Sequence, residues 1–117
     1  MIEIIAKADK FCAGVESALM DVGPLKDDQD LRTKLGLCRN LIAYIRSLPD
    51  AGVANPLARD SISKLITAMT WVAFYSREVI SYKVHRELIK AQALFNCVLS
   101  EQIPKTYSVS ATLHCSP

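Results

Sequence analysis

Along most of this chain apolar residues recur at three- and four-residue steps, the period of helices with one buried side. Ile4, Ala8, Phe11, Val15, Ala18 and Val22 keep that step, and Cys12 and Leu19 widen the stripe. The pattern predicts a first helix from Ile2 to Val22, stopped by Gly23-Pro24, because Pro cannot extend a helix and Gly suits its C-terminal cap. Leu31, Leu35, Cys38, Ile42 and Ile45 define a second helix from about Asp28 to Leu48. Asp27, Asp28 and Asp30 stand at its start, where carboxylates favour the positive end of the helix dipole. Pro49-Asp50-Ala51-Gly52 ends it, and a loop runs on to Pro56.

Between Leu57 and Ile103 there is neither Gly nor Pro. Ile62, Leu65, Ile66, Met69 and Val72 form one stripe; Ile80, Val84, Leu88, Ala91, Phe95 and Val98 form another. The segment is one long helix, or two with a break that no residue type marks. Unbroken, it is about 70 Å long at about 1.5 Å per residue, so it must project, dimerise or bend. Trp71, Phe74 and Tyr75 carry bulk beyond a single stripe, as burial on several sides or a self-association surface requires. After Pro104 a Ser- and Thr-rich stretch reads as a flexible tail, so the expected domains are a helical one over 1–104 and a tail over 105–117.

Composition narrows the picture. Half the 117 residues are hydrophobic and 22% are charged, which excludes extended disorder and fits one domain able to bury its own core. No apolar run reaches the roughly 18 residues of a membrane span, and Met-Ile-Glu-Ile-Ile-Ala-Lys lacks the layout of a signal peptide. A cytoplasmic location, in a host cell if the protein is viral, and no membrane partner are the expectations. Cys12, Cys38, Cys97 and Cys115 form no paired motif; the first three read as small buried hydrophobes in a reducing compartment. His114-Cys115 has no matching cluster, so no metal is expected. No phosphate-binding glycine loop, nucleophile elbow or zinc-protease motif occurs. The chain reads as a non-enzyme, with no cofactor and no small-molecule substrate.

Charge adds a lead that the net value of +2 conceals. Residues 1–31 hold three Lys and seven acids, a balance of −4, whereas residues 32–90 hold ten Lys and Arg and four acids, a balance of +6. Arg32, Arg39 and Arg46 are spaced by seven and fall on one line, roughly 10.5 Å apart, suited to successive phosphates. No acid lies between Leu31 and Pro49 to pair with them along the helix. Lys34 reaches an adjacent site, and Arg59, Lys64 and Arg77 extend the surface from the next helix. His85, between Lys83 and Arg86, belongs either to a phosphate-contacting cluster or to a solvated helix face. The aromatic residues read as core rather than as a base-stacking platform, which leaves backbone recognition as the nucleic-acid mode.

The run Asp9-Lys10-Phe11-Cys12-Ala13-Gly14-Val15-Glu16-Ser17-Ala18-Leu19, followed after a loop by Asp30-Leu31-Arg32, resembles the insect-nodavirus RNA-silencing suppressors. Their first helix carries an acidic-basic-apolar step and then a Val-Glu-small-Ala-apolar segment, and their second opens Asp-Leu-Arg or Asp-Leu-Asp. The resemblance covers residues 2–40. It implies an all-helical dimer whose hairpins pair into a four-helix bundle along double-stranded RNA, touching phosphates and 2′-hydroxyls without reading sequence. Long duplexes are thereby hidden from Dicer and short ones from Argonaute. By position the resemblance carries over Arg32; Arg39 and Arg46 rest on the charge line alone. The second helix is shorter than the family's, and the segment 57–103 has no counterpart in it, so Arg59 and Lys64 take part only if the third segment shares the RNA surface.

The expected fold is therefore all-α: a helical hairpin plus a long third helical segment in a dimeric helical bundle. The expected function is sequence-independent binding of double-stranded RNA by a homodimer that suppresses RNA silencing, through Arg32, Lys34, Arg39, Arg46, Arg59 and Lys64. The rival expectation is a helical protein-interaction module, such as an adaptor, a chaperone or an inhibitor of a host protein, resting on Trp71, Phe74 and Tyr75.

Overall fold

The computed structural model describes residues 2–21, 28–48 and 55–101, and within them every regular element is a helix. Helix α1 spans Ile2–Asp21, α2 Gln29–Ser47, α3 Pro56–Tyr75 and α4 Tyr82–Glu101. The expected stops at Gly23-Pro24 and Pro49-Asp50-Ala51-Gly52, and the tail 105–117, lie outside the described residues.

Helices α2, α3 and α4 each begin for a local reason. Asp28 caps α2, its carboxylate accepting from the Leu31 amide at 3.0 Å. Asn55 caps α3, its side-chain oxygen accepting from the Leu57 amide at 2.9 Å, and Pro56 fills the first turn, where a missing N–H costs nothing. Ser81 precedes α4, and its hydroxyl accepts from the Val84 amide at 3.3 Å.

The segment 57–103 bends, and the break falls at residues 76–81. Ser76 is fully buried and turns inward: its hydroxyl and its amide both donate to the Val72 carbonyl, at 2.6 and 2.9 Å. The Ser76 carbonyl then accepts from the Val79 and Ile80 amides, so the chain closes a turn instead of adding another helical residue. Helices α3 and α4 thus form an antiparallel hairpin, crossed by a bond from the Gln92 amide to the Thr70 hydroxyl at 3.2 Å.

The four helices alternate in direction. Tyr75 at the end of α3 reaches Asp28 at the start of α2, and Lys7 and Gly14 of α1 meet Glu87 and Val84 of α4 in reverse order. Packing is most extensive between α1 and α4 and between α2 and α3. Each apolar stripe supplies the common core. All five expected residues of α2 are buried, and Phe11, Val15, Ile62, Leu65, Met69 and Val72 are sealed from solvent. Burial of a large aliphatic or aromatic side chain stabilises by about 1.5–3 kcal/mol, so this stripe-to-stripe closure is the main source of stability. From α4 come Leu88, Ala91 and Phe95; Val84 and Val98 pack at the edge.

One contact sets the spacing of α1 and α4. A Cβ at Gly14 meets Val84 Cγ2 at 2.5 Å and its Cβ at 3.3 Å, so only glycine admits this approach. Gly36 on α2 has no neighbour within 4 Å of that position.

Candidate binding surfaces

The arginine line faces carboxylates from the neighbouring helix. Asp9 and Glu16 are also seven residues apart, so they fall on one line of α1, facing α2. The Arg39 guanidinium lies between them. It pairs with Asp9 through one amino group, and with both oxygens of Glu16 through the other amino group at 2.5 Å and Nε at 3.5 Å. Arg46 donates to the second oxygen of Asp9 at 3.3 Å. Acids that the second helix lacks between Leu31 and Pro49 are thus supplied by the first, so part of the charge asymmetry of the sequence, Asp9 and Glu16 against Arg39 and Arg46, is an interhelical pairing. Partial burial alone raises the Asp9 pKa, but the hydrogen bonds from Arg39 and Arg46 outweigh it and hold the carboxyl below its ordinary value. Glu16 first, and Asp9 after it, hold the Arg39 pKa above its ordinary value. All these groups are more than a third exposed, so solvent screening limits each pair to about 0–1 kcal/mol.

The six expected site residues do not share one surface. Arg32 is exposed and lines a groove between α1 and α2 of about 370 Å³, with Glu16, Leu19, Met20, Leu35, Gly36 and Arg39. Lys34 and Lys64 line a second groove, between α2 and α3, of about 270 Å³. Arg46 points at Asp9, and Lys64 also pairs with Asp60 one turn back at 3.1 Å. Arg59 lines neither groove; it is half-buried, and its Nε has no hydrogen-bond partner among the described residues.

The α2–α3 groove has an apolar floor of Leu37, Leu41, Ala68 and Trp71, with Thr67 as its one neutral polar side chain. The Lys34 ammonium lies 5.6 Å from the Trp71 ring centroid. Trp71 and Tyr75 stack with centroids 4.7 Å apart and planes 11° apart. Tyr75 is fixed in turn by its hydroxyl, which donates to Asp28 at 2.6 Å. That bond, and then the Leu31 amide, lower the Asp28 pKa; the same bond raises the Tyr75 pKa.

The expectation that the aromatic residues are core holds for Phe11 and Phe95 and is corrected for others. Phe74 and Tyr82 are about 70% exposed (69% and 72%), and Tyr44 and Tyr75 are also open to solvent. Positions 74 and 75 lie off the Ile62–Val72 stripe, and Tyr44 off the Leu31–Ile45 stripe, so the core does not reach them. Arg77 stacks on Phe74 at 4.5 Å and Arg86 lies 5.9 Å from the Tyr82 ring.

No protein-family model, curated protein or solved structure matches this chain. The site must be judged by its own chemistry. Among the described residues no three His, Cys, Asp or Glu side chains cluster as a metal ion requires, and no helix is long and apolar enough to cross a membrane. Cys12 and Cys38 are free, fully buried thiols, and the neighbouring Cys12 thiol together with burial pushes Cys38 up. Cys97 is half-buried, as is His85, whose amide donates to the Ser81 carbonyl as part of the start of α4.

Leu37, Leu41 and Tyr44 are the surface residues that the core stripe hides. With Lys34 they repeat at positions 34, 37, 41 and 44, a second helical line beside the buried one. Positions 64, 67, 68, 71 and 75 of α3 form its counterpart.

Proposed function

We propose that this protein is a helical protein-interaction module whose binding surface is the α2–α3 face. The observation that carries the reading is the Trp71–Tyr75 stack, held in place by Lys34 and Asp28, with the exposed Leu37 lining the same groove as Trp71. Leu41 and Trp71 rest on the edge of the core, whereas Leu37, Tyr44 and Tyr75 stay exposed and lie outside it. Rigid, half-exposed Trp and Tyr rings lose little entropy on contact and dominate interface energetics. The test is selection of a random 16-residue peptide library on the native bundle, with Leu37→Glu as counter-screen. Peptides that bind the native chain and lose Leu37→Glu support the reading; selection that enriches nothing sensitive to Leu37 refutes it.

The second reading is the one the first-helix resemblance implies: a homodimer in the host cytoplasm that binds duplex RNA and suppresses silencing. Lys34 and Lys64 lining one groove favour it, and two copies double the phosphate contacts. Against it, phosphates must displace Asp9 and Glu16 from Arg39 and Arg46. A gel shift with duplex RNA of about 21 base pairs, beside duplex DNA and single-stranded RNA at two salt concentrations, decides. Salt-weakened, duplex-RNA-selective binding that falls with Lys34→Ala and Lys64→Ala establishes it, and light scattering then gives the copy number; no shift at micromolar protein removes it.

A further inference from the structure

The α2–α3 groove carries charge of one sign. Its lining holds two ammonium groups, Lys34 and Lys64, and no carboxylate. Asp60 meets Lys64 from its own helix, but both side chains are about two-thirds exposed (65% and 67%), which makes this a solvated pair that a better-placed acid can replace. Between the lysines the floor is apolar, and the Thr67 hydroxyl is already committed to the Ser63 carbonyl at 3.0 Å. The space exceeds the about 150 Å³ that accommodates a benzene ring.

We propose that the groove docks an acidic amphipathic peptide segment, with an apolar side chain set on Leu37, Leu41 and Trp71 and carboxylates placed at Lys34 and Lys64. The proposal rests on the protein-interaction reading and names the partner's chemistry. Three observations select this occupant. Two facing helical lines with a floor between them match the groove in which a helix lays its apolar face. A second copy joined groove to groove sets four ammonium groups together, since a two-fold contact presents the same patch twice. The chain's own residues 102–117 hold one Lys and no acid, so they offer the wrong charge. An apolar floor also suits a side chain better than a phosphodiester, whose recognition in duplex RNA rests on polar contacts.

The experiment uses the full chain and three fluorescein-labelled 16-residue helical peptides. One has Leu or Phe at i, i+3, i+4 and i+7 with Glu flanking; one has each Glu replaced by Lys; one keeps Glu and replaces each apolar residue by Ser. Binding is read by anisotropy and by emission of Trp71, the only tryptophan in the chain. The acidic amphipathic peptide is expected to bind at least tenfold more tightly than the other two and to shift the Trp71 emission. In the K34E/K64E variant, shown folded by circular dichroism, the preference is expected to pass to the Lys peptide. Equal binding of all three peptides, or a K34E/K64E variant that still prefers Glu, overturns the proposal. If library selection yields Leu37-dependent peptides without acids, the acidic partner is refuted while the protein-interaction reading stands; if it yields none, both fall.

Discussion

Replacing Gly14 by Ala tests how closely α1 and α4 approach. The added methyl meets Val84 Cγ2 at 2.5 Å, where apolar carbons settle at about 3.5–4.0 Å. Val84 cannot swing clear easily, because a β-branched side chain in a helix has one strongly preferred rotamer. Its Cβ also stands only 3.3 Å away, so the helix axes must part by several tenths of an ångström or more. Overpacking of this kind costs about 1–3 kcal/mol. Against it stands a gain of about 1 kcal/mol from replacing glycine in a helix interior. The net expectation is a loss of about 1 kcal/mol. Gly36→Ala is the internal reference, since it has the same propensity gain and nothing to strike, and is expected to stabilise by up to about 1 kcal/mol. The difference between the two variants, about 2 kcal/mol, isolates the steric term. Urea unfolding read by circular dichroism and Trp71 fluorescence measures it, with unchanged m values confirming that the midpoint shift reports stability. Val84→Ala clears the methyl's path, so Gly14→Ala should cost less in that background, with a coupling of about 1 kcal/mol. If Gly14→Ala raises the midpoint as Gly36→Ala does, the close approach of α1 and α4 is wrong.

Other perturbations follow from the same contacts. Phe11→Ala, at a position sealed from solvent, should cost about 3–5 kcal/mol in the same unfolding assay. Asp28→Ala should lower the thermal midpoint more than Tyr75→Phe, because the carboxylate both caps α2 and accepts the Tyr75 hydroxyl. The Asp28 contribution is complete above the ordinary carboxyl value near about 3.9 and lost as pH falls through its lowered folded value, whereas the Tyr75 contribution persists until pH rises through a value above about 10. A stability profile of Asp28→Asn that keeps the native acid limb in full refutes this. Asp9→Asn with Glu16→Gln should cost about 1–2 kcal/mol at low salt and clearly less at 1 M salt, as screened, partly exposed pairs require. The same double variant frees Arg39 and Arg46, so if duplex RNA is bound at all, its binding should tighten.

The stripe Leu31, Leu35, Cys38, Ile42 and Ile45 was legible because α2 buries one face and caps with the Asp that precedes it. The break at 76–81 was hidden because Ser76 and Ser81 make it, rather than Gly or Pro; a serine that bonds back to Val72 looks in sequence like any helical serine. The phosphate-binding reading of Arg39 and Arg46 rested on the absence of acids between Leu31 and Pro49. Which helix lies beside it is a tertiary fact, although the matching seven-residue spacing of Asp9 and Glu16 was present to be seen. The α2–α3 groove was half legible. Trp71, with Tyr75 stacked on it, overflows its stripe visibly, whereas Leu37 and Leu41 are masked by the stronger stripe beside them.

The bridge from Arg39 to Asp9 and Glu16 also bears on alignment. Apolar stripes that repeat every turn are nearly degenerate: α1 can slide along α2 by one turn, about 5.4 Å, and still set an aliphatic residue against an aliphatic residue. The charges are not degenerate. Arg39 spans two carboxylates seven residues apart while Arg46 takes the remaining oxygen of Asp9, and a one-turn slide in either direction pulls one of the Arg39 contacts apart. Modest as they are for stability, these pairs act as a vernier, reading the offset between two helices whose greasy faces cannot.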